Sequence, residues 1–215
     1  DKTYVAKLSL GKATDTLDLT GKIVEEKEVP QLNKDQIKEV LSSFLGKQKQ
    51  IPPKYSALKV NGKKLYEYAR ENIEVNIKER DIEIYNIELI DYSNNEIIFL
   101  AKVSKGTYIR TLASDIANKL GTVGHLSALT RLTVGKYHLN EAKQIESISI
   151  NDVMPLTKAL NFMKQIKVDD EQIKKIKDGQ RFYLDSEDEL IFITDKFDNP
   201  LAKKKKKGKG VYITV

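Results

Sequence analysis

The clearest period in this chain is set by Ile109, Leu112, Ala113, Ile116, Ala117 and Leu120, apolar residues at helical spacing closed by Gly121. It predicts a helix with one apolar face. Arg110 lies about 100° round from Ile109, at the edge of that face rather than opposite it, where an arginine can reach a cleft. A second helix is expected after Asn33. Gln36 completes a capping box, Leu32 and Ile37 can staple the first turn, and Ile37, Val40, Leu41, Phe44 and Leu45 form one stripe before Gly46.

Between and around these helices the pattern is that of strands. Tyr4, Ala6, Leu8 and Leu10 alternate with polar or small neighbours from the first residues onward. Residues 12–21 are rich in Thr, Asp and Gly and read as a loop, and a short strand follows from about Ile23 to Val29. In Gln50-Ile-Pro-Pro the prolines remove two amide donors and push Ile51 out of the helical region, so residues 50–62 are expected to form an ordered loop. A short helix is expected over 63–71, and strands over 73–77, 80–91 and 96–103. A phase shift between Ile84 and Ile87 suggests a bulge in the middle one. A strand pair at 124–138 and a helix near 149–160 complete the larger part.

From about Val168 the texture changes to a short helix over 169–178, brief strands near 181–184 and 189–194, an Asp198-Asn-Pro turn and a last strand from Val211 to Val215. About fifty residues make a weak independent core, so this reads as a small β-rich appendage. The run Lys203–Lys207 inside it is either a solvated hairpin tip or an RNA-backbone contact.

Composition narrows the class. A chain of 215 residues with 40% hydrophobic and 32% charged residues can bury a sizeable core. With no cysteine and two histidines it has neither a disulfide framework nor a thiolate metal site, and His125 is expected to satisfy a local hydrogen bond. No run of eighteen apolar residues exists and the first residues form no secretory leader, so the chain reads as cytosolic, with no membrane contact. A formal charge of +6 favours a polyanionic partner without establishing one. A strand beginning at Asp1 raises the expectation of a fragment, a processed form, or the ordered part of something longer.

Three segments carry chemistry. The first is Lys2-x-Tyr4 followed by Gly11-x-x-Thr14-Asp15-Thr16-x-Asp18-x-x-Gly21. The second is Gln50-Ile-Pro-Pro-x-Tyr55-Ser-Ala-Leu-Lys59-Val-x-Gly62-x-x-Leu65-Tyr66-x-x-Ala69-Arg70. The third is Ser104-Lys-Gly-Thr-Tyr108-Ile-Arg110-Thr-Leu112, continuing to His125-Leu-Ser-Ala-Leu129-Thr-Arg131-Leu132. In this order and at these intervals they resemble the bacterial TruB-type tRNA pseudouridine synthases, which convert uridine 55 of the TΨC arm to pseudouridine. The resemblance is dense over residues 1–140, and the tail is similar to the small PUA-like domain of that family.

The resemblance implies an α+β fold on a curved mixed sheet of the pseudouridine synthase type with flanking helices, an incomplete catalytic domain over 1–165, and a PUA-like RNA-binding domain over 166–215. It implies a monomer that acts on the tRNA TΨC stem-loop with no cofactor and no metal. The family's essential aspartate lies in a motif ahead of the Lys-x-Tyr strand, so the resemblance implies a chain that lacks the nucleophile and is inactive alone. Thr16-Leu-Asp18 echoes that motif, but it lacks the following proline and sits in the family's later substrate-binding segment, so Asp18 is expected to bind substrate.

The same resemblance gives roles to other residues. Tyr4 is matched to the tyrosine that packs against the flipped base and is the candidate for removing the C5 proton. Arg110 is matched to the arginine that orients the catalytic carboxylate, a partner this chain is expected to have lost. Leu129 is matched to an apolar residue of the base pocket, and Tyr108 can reach the site or anchor the helix. Lys59, Lys63, Lys64, Tyr66, Arg70, Lys105 and Arg131, with Lys12 beside them, are expected to contribute to substrate RNA binding, since an A-form stem is held through phosphates and shape. The alternative is a non-catalytic module that binds and folds the T arm. A nucleotide-binding enzyme is disfavoured, because no phosphate-cradling glycine motif is present.

Overall fold

The computed structural model describes residues 1–180, 190–205 and 213–214. They form two compact units, Asp1–Ala142 and Lys143–Val215, whereas the sequence reading divides the chain at 165/166.

The first unit contains β1 (Lys2–Leu10), β2 (Lys12–Thr14), β3 (Ile23–Glu26), α1 (Lys34–Ser42), β4 (Gly46–Gln50), β5 (Lys59–Val60), β6 (Lys63–Lys64), α2 (Leu65–Arg70), β7 (Arg80–Ser93), β8 (Glu96–Val103), α3 (Ile109–Lys119), β9 (Gly124–Val134) and β10 (Tyr137–His138). Six strands make one sheet in the order β10-β9-β1-β8-β7-β4, and every pairing within it is antiparallel. Two ribbons, β2-β3 and β5-β6, stand apart from it.

The core lies where α1 and α3 cover one face of this sheet. Ile37 and Leu41 from α1 and Leu112, Ala113, Ile116 and Ala117 from α3 meet Ala6, Leu8, Ile97, Phe99 and Val103. Each fully buried Leu or Ile contributes roughly 1.5–3 kcal/mol, which explains how a strip of alternating residues fixes the sheet's orientation. The contact at Gly124 is backbone-close: a Cβ there would meet Ala117 Cβ, Leu8 Cδ1 and the Ser9 carbonyl, each at 2.8 Å.

Asn33 caps α1 as expected. Its side chain accepts from the Gln36 amide, and Gln36 returns the bond to the Asn33 amide. The bulge expected in β7 falls between Ile84 and Asn86, and a second one separates Leu89 from Asp91. Residues 73–77, expected as a strand, form none: Asn72 takes a left-handed φ of 52°, and no strand pairs with the segment that follows.

In the second unit, one 3-10 turn (Ile150–Asp152) and the four-residue α4 (Leu156–Ala159) replace most of the helix expected near 149–160. β11 (Lys164–Lys167), α5 (Asp170–Lys177), β12 (Leu190–Thr194), β13 (Pro200–Lys205) and β14 (Ile213–Thr214) follow. β11 pairs parallel to β12 and the other pairs are antiparallel, which gives a mixed sheet around Val168, Ile176, Ile191 and Ile193. The strand expected at 181–184 lies outside the described residues, as do Lys206 and Lys207 of the lysine run and most of 211–215. No described helix is long and apolar enough to cross a membrane.

Candidate active site

The site grows from a turn between β2 and β3. Thr14 Oγ1 donates to the Asp18 carbonyl at 2.7 Å, and Leu17, at φ 61°, sits in the left-handed region that leucine rarely adopts. Strand β9 holds it there: the Leu126 amide donates to the Leu17 carbonyl and the Leu19 amide to the Leu126 carbonyl, both at 3.0 Å. Gly21 closes the turn. Any Cβ at that position would stand 2.3 Å from Thr16 Oγ1 and 2.9 Å from the Thr16 nitrogen.

This turn presents Asp18. Its Oδ1 accepts from the Thr16 hydroxyl at 2.8 Å, the Thr20 hydroxyl at 2.6 Å and the Thr20 amide at 3.1 Å. Its Oδ2 accepts from Arg110 Nη1 at 3.0 Å. Burial raises the carboxyl's pKa, but the Thr20 and Thr16 hydroxyls, the Thr20 amide and the Arg110 charge outweigh it and hold the group below its ordinary value. Asp18 is thus ionised and fully engaged.

Arg110 is in the first turn of α3. Its Nη1 also donates to the Thr16 carbonyl at 3.0 Å, and its Nη2 donates to the Tyr55 carbonyl at 2.8 Å. One planar fork therefore ties the β2–β3 turn, the proline loop and α3 together. Arg110 therefore does not stand without a carboxylate: Asp18 pairs with it, in addition to whatever carboxylate the resemblance assigns to the chemistry.

The start of α3 is itself anchored. No side chain of Tyr108 caps the helix; instead the buried Gln50 accepts from the Tyr108 amide and donates to its carbonyl. A cleft of about 1120 Å³ opens alongside, walled by Pro52, Pro53, Tyr55, Tyr68, Thr111 and Asp115 among others. Burial pushes the Asp115 carboxyl up to about 6.

The remaining expected residues fall into separate places. Tyr4 is buried in β1, and Arg131 of β9 lies over its ring at 5.6 Å from the centroid. Leu129, opposite Ala6, is 45% exposed, open enough to meet a ligand. Lys59 and Tyr66 belong to a basic and aromatic patch on β5, β6 and α2, where Lys64 and Arg70 flank the Tyr66 ring at 5.4 and 5.3 Å and Lys63 flanks Tyr68 at 4.9 Å. Lys105 is exposed on the turn before α3. His125 Nδ1 meets the Lys12 carbonyl at 2.8 Å, a hydrogen bond to a residue 113 positions away where a local one was expected. Among the described residues no cluster of three His, Asp or Glu side chains is placed to hold a metal ion.

The antiparallel sheet covered by helices on one face belongs to a fold that recurs in solved proteins. Two solved structures share it over 100% of this chain: that of a Cbf5-Nop10-Gar1 complex, with TM-score 0.64, 21% identity and 65% of that chain covered, and that of an H/ACA RNP bound to a substrate RNA containing 2'-deoxyuridine, with TM-score 0.62 and 19% identity. The chain belongs to the TruB family of pseudouridylate synthases, whose N-terminal domain model matches residues 1–109. It is 39% identical over 212 residues to the tRNA pseudouridine synthase B of Psychrobacter cryohalolentis and 42% identical over 222 residues to that of Staphylococcus aureus, with 94% of this chain covered in each case. It spans 59% of the first relative's length and 73% of the second's.

The match to the N-terminal domain model corrects three expectations: that the chain lacks the N-terminal part with the catalytic aspartate motif, that it is a form without the nucleophile, and that it is inactive alone. Those three expectations rest on one short aspartate motif, whereas the family model matches the whole of residues 1–109.

Proposed function

We propose that this chain carries out pseudouridine formation in tRNA, with uridine 55 of the TΨC arm as its target. The observation that carries the reading is the Arg110 fork joining Asp18 and Tyr55 at the end of the sheet that bears Tyr4. The reaction is an isomerisation: the bond from N1 to the ribose breaks, the uracil turns, C5 bonds to the ribose and gives up its proton, and N1 gains one. The base must quit its stack to undergo this.

Tyr4 is placed to pack against the extruded uracil and to take the C5 proton, with Leu129 lining the pocket. Arg110 sets the charge of the site. Asp18 is a positioning residue rather than an attacking one, because three donors on one oxygen and an arginine on the other leave it little nucleophilic capacity. Lys59, Tyr66 and Lys105 supply phosphate and stacking contacts to the stem-loop. Residues 166–215, within the second unit, serve as a PUA-like RNA-binding domain.

Tritium release from C5-labelled uridine in tRNA, measured on the full-length gene product in the presence of a chelator, tests the reading. Release of one tritium per tRNA, mapped to position 55, is expected. Tight tRNA binding without release would instead identify a module that folds the T arm.

A further inference from the structure

Strand β9 follows β1 through two irregularities. The register slips between Lys7 and Leu8 and again between Thr3 and Tyr4, so Ser127 and Leu132 face no residue of β1. Such bulges re-aim the side chains beyond them. Directly opposed residues of an antiparallel ladder share a face. Leu129, opposite Ala6, and Arg131, opposite Tyr4, therefore stand on the face that bears the core. Unbroken alternation from Leu126 would have put Ala128 and Thr130 there instead.

The result is a cation on the ring of the proposed catalytic tyrosine. Arg131 Cζ lies 5.6 Å from the Tyr4 centroid, within the range of a cation–π contact. The ring is 6% exposed, whereas Arg131 is open to solvent, and among the described residues no carboxylate forms an ion pair with it. A guanidinium is planar and carries its N–H donors at its edge, so a cation held over a ring can still aim donors away from it. An exposed, uncompensated donor set of this kind suits a phosphate oxygen.

We infer that Arg131 is a positioning residue that couples RNA seating to Tyr4: its face fixes the tyrosine ring while its edge takes a backbone phosphate of the substrate. This rests on the proposed function. Seating the RNA then clamps the guanidinium, and the clamped guanidinium holds the ring in its working orientation.

The test uses the full-length protein with Arg131→Met, Arg131→Lys, Tyr4→Phe and the double variant Arg131→Met/Tyr4→Phe. Single-turnover pseudouridine formation is measured at saturating tRNA, and tRNA affinity across a salt series. Arg131→Met is expected to slow the reaction about two- to fivefold, the range of an exposed cation–π contact, and to flatten the log–log salt slope of binding by about 0.7–0.9, the loss of one phosphate contact. Arg131→Lys keeps the slope but is also slow, because an ammonium has no plane to stack. The double variant is no slower than Tyr4→Phe alone, since residues acting as a unit are not additive. The inference is overturned if Arg131→Lys matches the wild-type rate, if the two single losses multiply, or if Arg131→Met leaves the salt slope unchanged. That last readout needs no turnover. A wild-type protein that forms no pseudouridine would overturn the proposed function, and the positioning role with it.

Discussion

Gln50 and Tyr108 lie 58 residues apart in sequence and close a ring of two hydrogen bonds: the Tyr108 amide donates to Gln50 Oε1 at 2.8 Å, and Gln50 Nε2 donates to the Tyr108 carbonyl at 3.1 Å. The side-chain amide thus acts as a missing peptide between the end of β4 and the start of α3. Gln50→Met keeps the volume and loses both bonds. Unfolding in urea should show a loss of about 1–3 kcal/mol, the cost of stranding buried polar groups. Because Arg110 is two residues beyond Tyr108, turnover should fall while KM for tRNA is nearly unchanged.

Asp18→Asn tests the division of labour in the site. The amide keeps the shape but weakens the contact with Arg110, so single-turnover rates should fall by an amount equivalent to about 1–3 kcal/mol and remain measurable. Complete loss of chemistry in a folded, tRNA-binding variant would show that the carboxylate itself attacks. The pH dependence is signed as well: since the carboxyl is held below its ordinary 3.8, its stabilising contribution is complete above that value and disappears as pH falls through the lower, folded one. The stability gap between wild type and Asp18→Asn should therefore close in acid.

Asp115 should behave in the opposite sense. Burial against the cleft wall pushes its carboxyl up to about 6 from 3.8, although the residue keeps exposed surface. Between those values the folded state binds more protons than the unfolded one, so this group makes stability fall as pH rises through the window and then level off. Urea midpoints recorded from pH 4 to 8 should show Asp115→Asn gaining on the wild type across that interval. A variant that tracks the wild type in parallel would show the carboxyl to be ordinary.

Gly21→Ala should damage the site from outside it. The added methyl would meet Thr16 Oγ1 at 2.3 Å and the Thr16 nitrogen at 2.9 Å, and a backbone nitrogen cannot swing aside. A loss of roughly 1–3 kcal/mol is expected from such overpacking, with a fall in turnover because the Thr16 hydroxyl donates to Asp18 and the Thr16 carbonyl accepts from Arg110. Thermal unfolding and single-turnover assays on the same preparation would separate the two effects.

Much of the fold could be read from local pattern. The period from Ile109 to Leu120 gave α3, the Asn33–Gln36 pair gave the start of α1, and β8 spans the expected 96–103. These are elements whose own spacing decides which face is buried. The segment 73–77 has the same Ile and Val content, yet a strand needs a neighbour, and none pairs with it. The site divides along the same line. Arg110 is legible as a helix-edge arginine, whereas its partner depends on Leu17 adopting a left-handed turn that leucine does not advertise. Gln50 carries the weakest signal, a polar residue before two prolines, and only the position of Tyr108 gives it a role. In β9 the inward positions run 124, 126, 129, 131, 134, a spacing that fits neither a plain strand nor a helix.

The turn at Leu17 has a consequence in time. A leucine in the left-handed region is locally unfavourable, and the bonds that hold both sides of it through Leu126 are added only once β9 is in place. Its product, the contact between Asp18 and Arg110, spans 92 residues, and contacts of such separation come after the loop between them has been closed. The site is therefore assembled on a finished scaffold. In refolding experiments the far-ultraviolet signal of helices and sheet should be complete before activity returns, and replacing Leu17 with glycine should shorten that delay.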